Sequence, residues 1–74
     1  DAYGQFNLGF MYANGYGVIE DKVHALMWWY IASSNRNENA KEYIEGIEEM
    51  MTSSQIKEAQ RLSKECMKKD YKGC

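Results

Sequence analysis

The side chains able to do chemistry in this chain are few. His24 is its one histidine, and no nucleophile motif sets a serine or cysteine beside it. Hydrolysis of the serine or cysteine type therefore has no visible starting point, and His24 reads as a polar side chain in the first turn of a helix. Asp21 is better explained as a helix cap than as a catalytic acid. Cys66 and Cys74 are the only thiols, and with a distant His24 they do not make a zinc ligand set of recognised spacing. Their even number leaves two readings open. They form a bridge, if the chain turns back after its last helix, or they stay as two thiols, one of them on an apolar helix stripe. Glu48-Glu49 and Lys68-Lys69 read as solvated helix faces. The five methionines fall mostly on helix stripes and read as core filler rather than a cofactor box. Nothing here calls for a catalytic residue, a metal or a cofactor.

The frame that must position any site is small. The chain has 74 residues, room for one small domain whose core is marginal unless something staples or extends it. Aromatics make up 14%, enough to supply a few large packing anchors. The net charge of −2 gives no electrostatic case for nucleic acid or an anionic membrane. The longest apolar run, Ala25 to Ala32, is too short to cross a bilayer. No signal peptide is visible, and the start at Asp1 rather than Met fits a piece of a longer protein.

Without proline, and with little β-branched content, the chain predicts helices, about four. The first runs from Ala2 to Asn14 and ends at Asn14-Gly15, two residues that tolerate the left-handed conformation. Asp21 caps the second, Lys22 to Ser34. The run "SNRNEN" breaks the chain before a third, Glu38 to Met51. Thr52 and Gln55 form a capping box for the fourth, Ser53 to Lys69.

The first helix carries two apolar stripes roughly opposite one another, Gly4/Leu8/Met11/Tyr12 and Tyr3/Phe6/Phe10/Ala13. The second is apolar nearly all round, so it needs cover on several sides. The third has one clean stripe, Tyr43, Ile44, Ile47, Met50 and Met51. The fourth has a narrow one, Ile56, Ala59, Leu62 and Cys66. Burial is thus expected to fall from the start of the chain to its end, as at the closing unit of a stacked helical array.

Between the first two helices the turn carries Gly15 and Gly17, which allow backbone angles a side chain would penalise. Val18 can tuck back onto the pair. Gly9 and Ala25 are small where the helices would approach, and Trp28 would fill the space between pairs. The series Leu8-Gly9, Tyr12, Gly15-x-Gly17-Val18, Asp21, Ala25, Trp28 and Ala32 resembles the Sel1-like repeat, a relative of the tetratricopeptide repeat. The motif spans nearly all of residues 2 to 34. The resemblance implies an all-α fold of stacked antiparallel helix pairs: residues 1–36 as one Sel1-like pair and 37–74 as a degenerate second pair that caps the array. The second half lacks the G-x-G-V-x-x-D turn and aligns only through Ala59 and Leu62 over Ala25 and Trp28.

The same resemblance bears on the cysteines. The spacing of Cys66 and Cys74 is similar to that of the disulfide staples in the cysteine-rich secreted branch of the family. Such a bridge would contribute about 2 kcal/mol in the chain-entropy model, and an oxidised pair would favour periplasm or the exterior over cytoplasm. Family membership also implies a non-catalytic adaptor, often in bacterial signalling, secretion or host contact. Its partner would be a protein or peptide held on the first-helix face, here Tyr3, Phe6, Asn7, Phe10 and Asn14. A preceding repeat could cover that same face instead, and an isolated fragment would then expose apolar area and tend to self-associate. Two alternatives stand beside the adaptor: a purely structural C-terminal cap, and a cysteine-rich relative that binds or hydrolyses β-lactams.

Overall fold

The computed structural model describes all of residues 1–74 and is helical throughout, with no strand. Its elements are α1 (Ala2–Asn14), α2 (Lys22–Ser34), α3 (Ala40–Glu48) and α4 (Ser53–Lys68). The ends of α1 and α2 follow from their capping chemistry. Asp1 accepts from the Gly4 amide at 2.7 Å. Gly15, at φ 70°, closes α1 by donating its N–H to Met11, and Tyr16 donates to the same carbonyl. The Asp21 amide then donates to the Tyr12 carbonyl at 2.9 Å, and the Asp21 side chain accepts from the His24 amide to open α2. At the head of α4, Thr52 and Gln55 form the reciprocal capping box.

Helix α3 is shorter at both ends than the apolar pattern predicts. The Asn37 side chain accepts from the Asn39 and Ala40 amides, so the first turn starts at Ala40 and not at Glu38. At the other end Met50 and Met51 donate only three residues back, to Ile47 and Glu48. The last turn tightens into the link that feeds Thr52. Helix α4 stops one residue early, with Lys69 as its cap.

Burial does not fall steadily along the chain; it peaks in α2. Ala25 to Trp29, Ile31 and Ala32 are all buried, and α1, α3 and α4 each pack on this one helix. Leu26 and Ile31, fully enclosed, each stabilise the fold by about 1.5–3 kcal/mol relative to exposure. Contacts between α3 and α4 are few, so the second half is less a pair than two helices laid separately on α2. The cause is visible in their stripes: Ile44 and Ile47 of α3, and Ile56 and Ala59 of α4, all join the cluster built around Leu26, Trp29 and Ala32.

Helix α1 meets α2 along the seam between its two stripes. The buried seam residues are Gln5 and Gly9, neither of them a large apolar side chain. Gly9 lets the helices close, and the Gln5 amide oxygen accepts from Asn35 at 2.8 Å, past the end of α2. The stripes flank this seam on either side. Phe6 and Ala13 join the first cluster, Leu8 packs on a second one made by Met27, Trp28, Ile31 and Cys66, and Tyr12 touches both.

Cys66 and Cys74 are joined by a disulfide, with their Cα atoms 5.7 Å apart. The chain turns back between them through Asp70, Tyr71 and Gly73, all at positive φ, and the Tyr71 amide donates to the Cys66 carbonyl. The staple lies beside Trp28 and Leu62, where it closes the end of the second cluster.

Candidate functional site

Between α1, the start of α2 and α3 lies an open groove of about 500 Å³. Trp29 and Ile47, both buried, reach its floor. Phe10, Ala13 and Asn14 supply the α1 wall; Tyr43, Gly46 and Met50 supply the α3 wall. Lys22 and Glu42 stand at its rim. An apolar concavity with a few polar groups at its edge is the usual form of a binding site.

The aromatic side chains are built into one another around this groove. Phe6 meets Tyr43 edge-on with ring centroids 5.1 Å apart, and Trp29 lies 5.3 Å from the same ring. Phe10 stands 6.3 Å from Tyr43 and 6.1 Å from Tyr16. Each of these spacings is within the range of favourable aromatic pairing. Phe10, Tyr16, Tyr43 and Met50 are nonetheless among the exposed large apolar side chains. They make a joined apolar patch at the mouth of the groove, not scattered exposure.

Five first-helix residues were expected to form a partner-binding face, and the structure divides them. Phe10 and Asn14 line the groove. Phe6 lies beside it, half-buried between Trp29 and Tyr43. Tyr3 is 70% exposed and is not among the groove residues, and Asn7 is exposed and likewise outside it. The face expected to meet a missing repeat or a partner is thus partly covered from within the chain, by Tyr43 of α3.

The polar groups around the groove are mostly engaged. The Trp29 indole N–H donates to the Phe6 carbonyl at 3.1 Å, and the Asn14 amide nitrogen donates to the Phe10 carbonyl at 2.8 Å. Lys22 pairs loosely with Glu20 at 3.5 Å. Glu42 makes no salt bridge within the chain, and neither do Glu45 or Glu49.

Away from the groove, three titratable contacts stand out. His24 Nδ1 lies 2.8 Å from the Asp21 carboxylate. Partial burial works to raise the Asp21 pKa, but the backbone and side-chain hydrogen bonds from His24, and its charge, hold it below the ordinary value. The Tyr30 hydroxyl donates to Glu48 across α2 and α3; burial, then the hydrogen bond and charge of Glu48, push its pKa up to about 12. On exposed α4, Arg61 bonds both Glu58 and Glu65, which lowers the Glu58 pKa and raises that of Arg61. His24 also borders a small pocket of about 80 Å³ beside the disulfide, where both sulfurs are already bonded and neither is a free thiol. No group of three or more His, Cys, Asp or Glu side chains is placed to hold a metal.

Trp29, Tyr43, Gly46 and Met50 are groove residues that a reading of α1 alone does not reach. Tyr43 and Met50 belong to the α3 stripe, which reads as core. The distinguishing signal is Gly46, which interrupts that face where helix propensity alone would disfavour glycine. No protein-family model matches the chain, and neither the curated proteins nor the solved structures contain a significant match to it.

Proposed function

We propose that this chain is a non-catalytic protein-interaction module of the Sel1-like kind, and that a segment of its partner docks in the α1–α3 groove. The observation that carries the reading is the groove itself: an aromatic floor and walls, with Phe10, Tyr43 and Met50 left exposed at its mouth. The family reading rests on the G-x-G turn, the Asp21 cap and the small residues at the α1–α2 seam. No serine, cysteine or histidine lines the groove, so nothing in it supports β-lactam chemistry. The disulfide suits an oxidising compartment.

A second reading is favoured by one observation. The outer face of α4 is wholly polar, with Lys57, Glu58, Arg61, Lys64 and Glu65 exposed, as expected of the closing unit of an array. The two readings are compatible, since no residue of α4 lines the groove.

The test is capture of partners by the wild type against Gly46→Leu and Tyr43→Ala, each shown by circular dichroism to be folded. A protein retained by the wild type and released by both variants supports the groove as the site. Capture that neither variant changes overturns it and leaves α4 as cap, with recognition elsewhere.

A further inference from the structure

We propose that the groove takes a partner segment in which a bulky apolar side chain is flanked by lysine or arginine; this rests on the groove being the docking site. The apolar half of the argument is its shape. Gly46 leaves the α3 wall open, since a Cβ there would meet nothing within 4 Å. The opening lies between Tyr43 and Met50 and above Trp29. A side chain of the size of phenylalanine or leucine fits an apolar slot so built, and Met50, 67% exposed and unbranched, can fold over it.

The charged half comes from the lip. Glu42, Gly46 and Glu49 are spaced four and three apart, so they follow one edge of the α3 path. Glu49 continues that path as the helix cap, with right-handed helical angles. Both glutamates are exposed, and neither has a salt bridge within the chain. Lys41 is set about 100° round the helix from Glu42 and is not among the residues that line the groove. The one cation at the rim, Lys22, already faces Glu20. The mouth of the groove is therefore apolar in the middle and acidic along one side, and charge complementarity selects a basic flank. An acidic segment would bring like charges together along the lip.

The test uses labelled short peptides with one central phenylalanine and arginine, serine or glutamate flanks, and an arginine peptide with alanine at the centre. Fluorescence anisotropy gives the affinity and the Gly46 amide shift gives the location. The arginine–phenylalanine peptide is expected to bind at least roughly tenfold more tightly than the glutamate peptide at low salt, with the gap narrowing as salt rises. Glu42→Lys/Glu49→Lys should reverse the order, while Gly46→Leu, which keeps the lip, should weaken every phenylalanine peptide. Equal binding of all three flanks, with Gly46 shifted, would overturn the charge preference and leave the groove standing. No Gly46 shift with any peptide would remove both. Sedimentation of the protein alone is expected to give a monomer. A dimer dispersed by Lys68→Glu/Lys69→Glu/Lys72→Glu would overturn the proposal in favour of a second copy's basic C-terminal turn as the occupant.

Discussion

Gly9 lies flush against the Trp29 indole: a Cβ at position 9 would come within 2.5 Å of two atoms of that ring and 3.0 Å from the Ala25 carbonyl oxygen. The ring is 3% exposed and held by its hydrogen bond to Phe6, so it has little room to yield. Gly9→Ala gains about 1 kcal/mol of helix propensity but forces the seam apart. The expected net effect is a loss of about 1–3 kcal/mol, read as a lower urea midpoint. Because Trp29 is also the groove floor, the same variant should disturb the amide shifts of Tyr43 and Gly46.

Gly46→Ala has the opposite sign. Its Cβ meets nothing, and its φ is not positive, so the substitution should stabilise α3 by about 0.5–1 kcal/mol. Thermal melts of Gly9→Ala and Gly46→Ala should move in opposite directions. A fall for Gly46→Ala would show that the groove wall is closed in solution.

Reduction, or Cys74→Ala, should cost about 2 kcal/mol. The loss is expected mainly at the C-terminal end of α4, where the staple backs Trp28. Hydrogen exchange should quicken at Ser63 to Lys69, with α1 and α3 little changed. A melting temperature indifferent to reductant would mean that the bridge does not stabilise the fold.

Tyr30 and Glu48 predict an alkaline limb. The fold favours the protonated phenol, so its pKa is raised from 10.0 to about 12. Their contribution is whole below about pH 10 and is lost as the pH rises through about 12. Tyr30→Phe should be less stable at neutral pH by about 1 kcal/mol. Its disadvantage against the wild type should shrink as the pH climbs through that window, and a constant difference would disprove the linkage.

Asp21 predicts an acid limb. Its carboxyl is held below the ordinary value of 3.8, so its stabilising contribution is present above about pH 4 and fades as the pH falls through the folded value. Asp21→Ala should cost about 1 kcal/mol at neutral pH, as expected for a lost cap. The variant should also titrate less steeply under acid, measured by the pH dependence of the urea midpoint.

The helix count and the α1–α2 turn were legible because their signals are local. Gly15, Asp21 and Thr52 act within a few residues of where they stand, and the structure uses each at that place. The apolar stripe of α3 was misleading about length, since Met50 and Met51 keep the phase after the helical bonds have stopped. The groove was half legible. Phe10 and Asn14 could be picked out from α1, but Tyr43 and Met50 read as core because periodicity marks an apolar face without saying how much of it a neighbour covers. The α1 seam was hidden for the converse reason: Gln5 is polar, and its burial depends on Asn35, thirty positions away.

The placement of α2 bears on how the chain gains and loses its structure. The other three helices all lean on it, and its two sides belong to two clusters that share no buried residue. Neither half of the sequence can retain its apolar interior once the other is gone. The α1–α2 hairpin is the most extensively packed pair of helices adjacent in sequence, so it is the expected folding nucleus. Later docking of α3 would then complete the groove at the last stage of assembly, and the site would be the first feature surrendered when α3 frays.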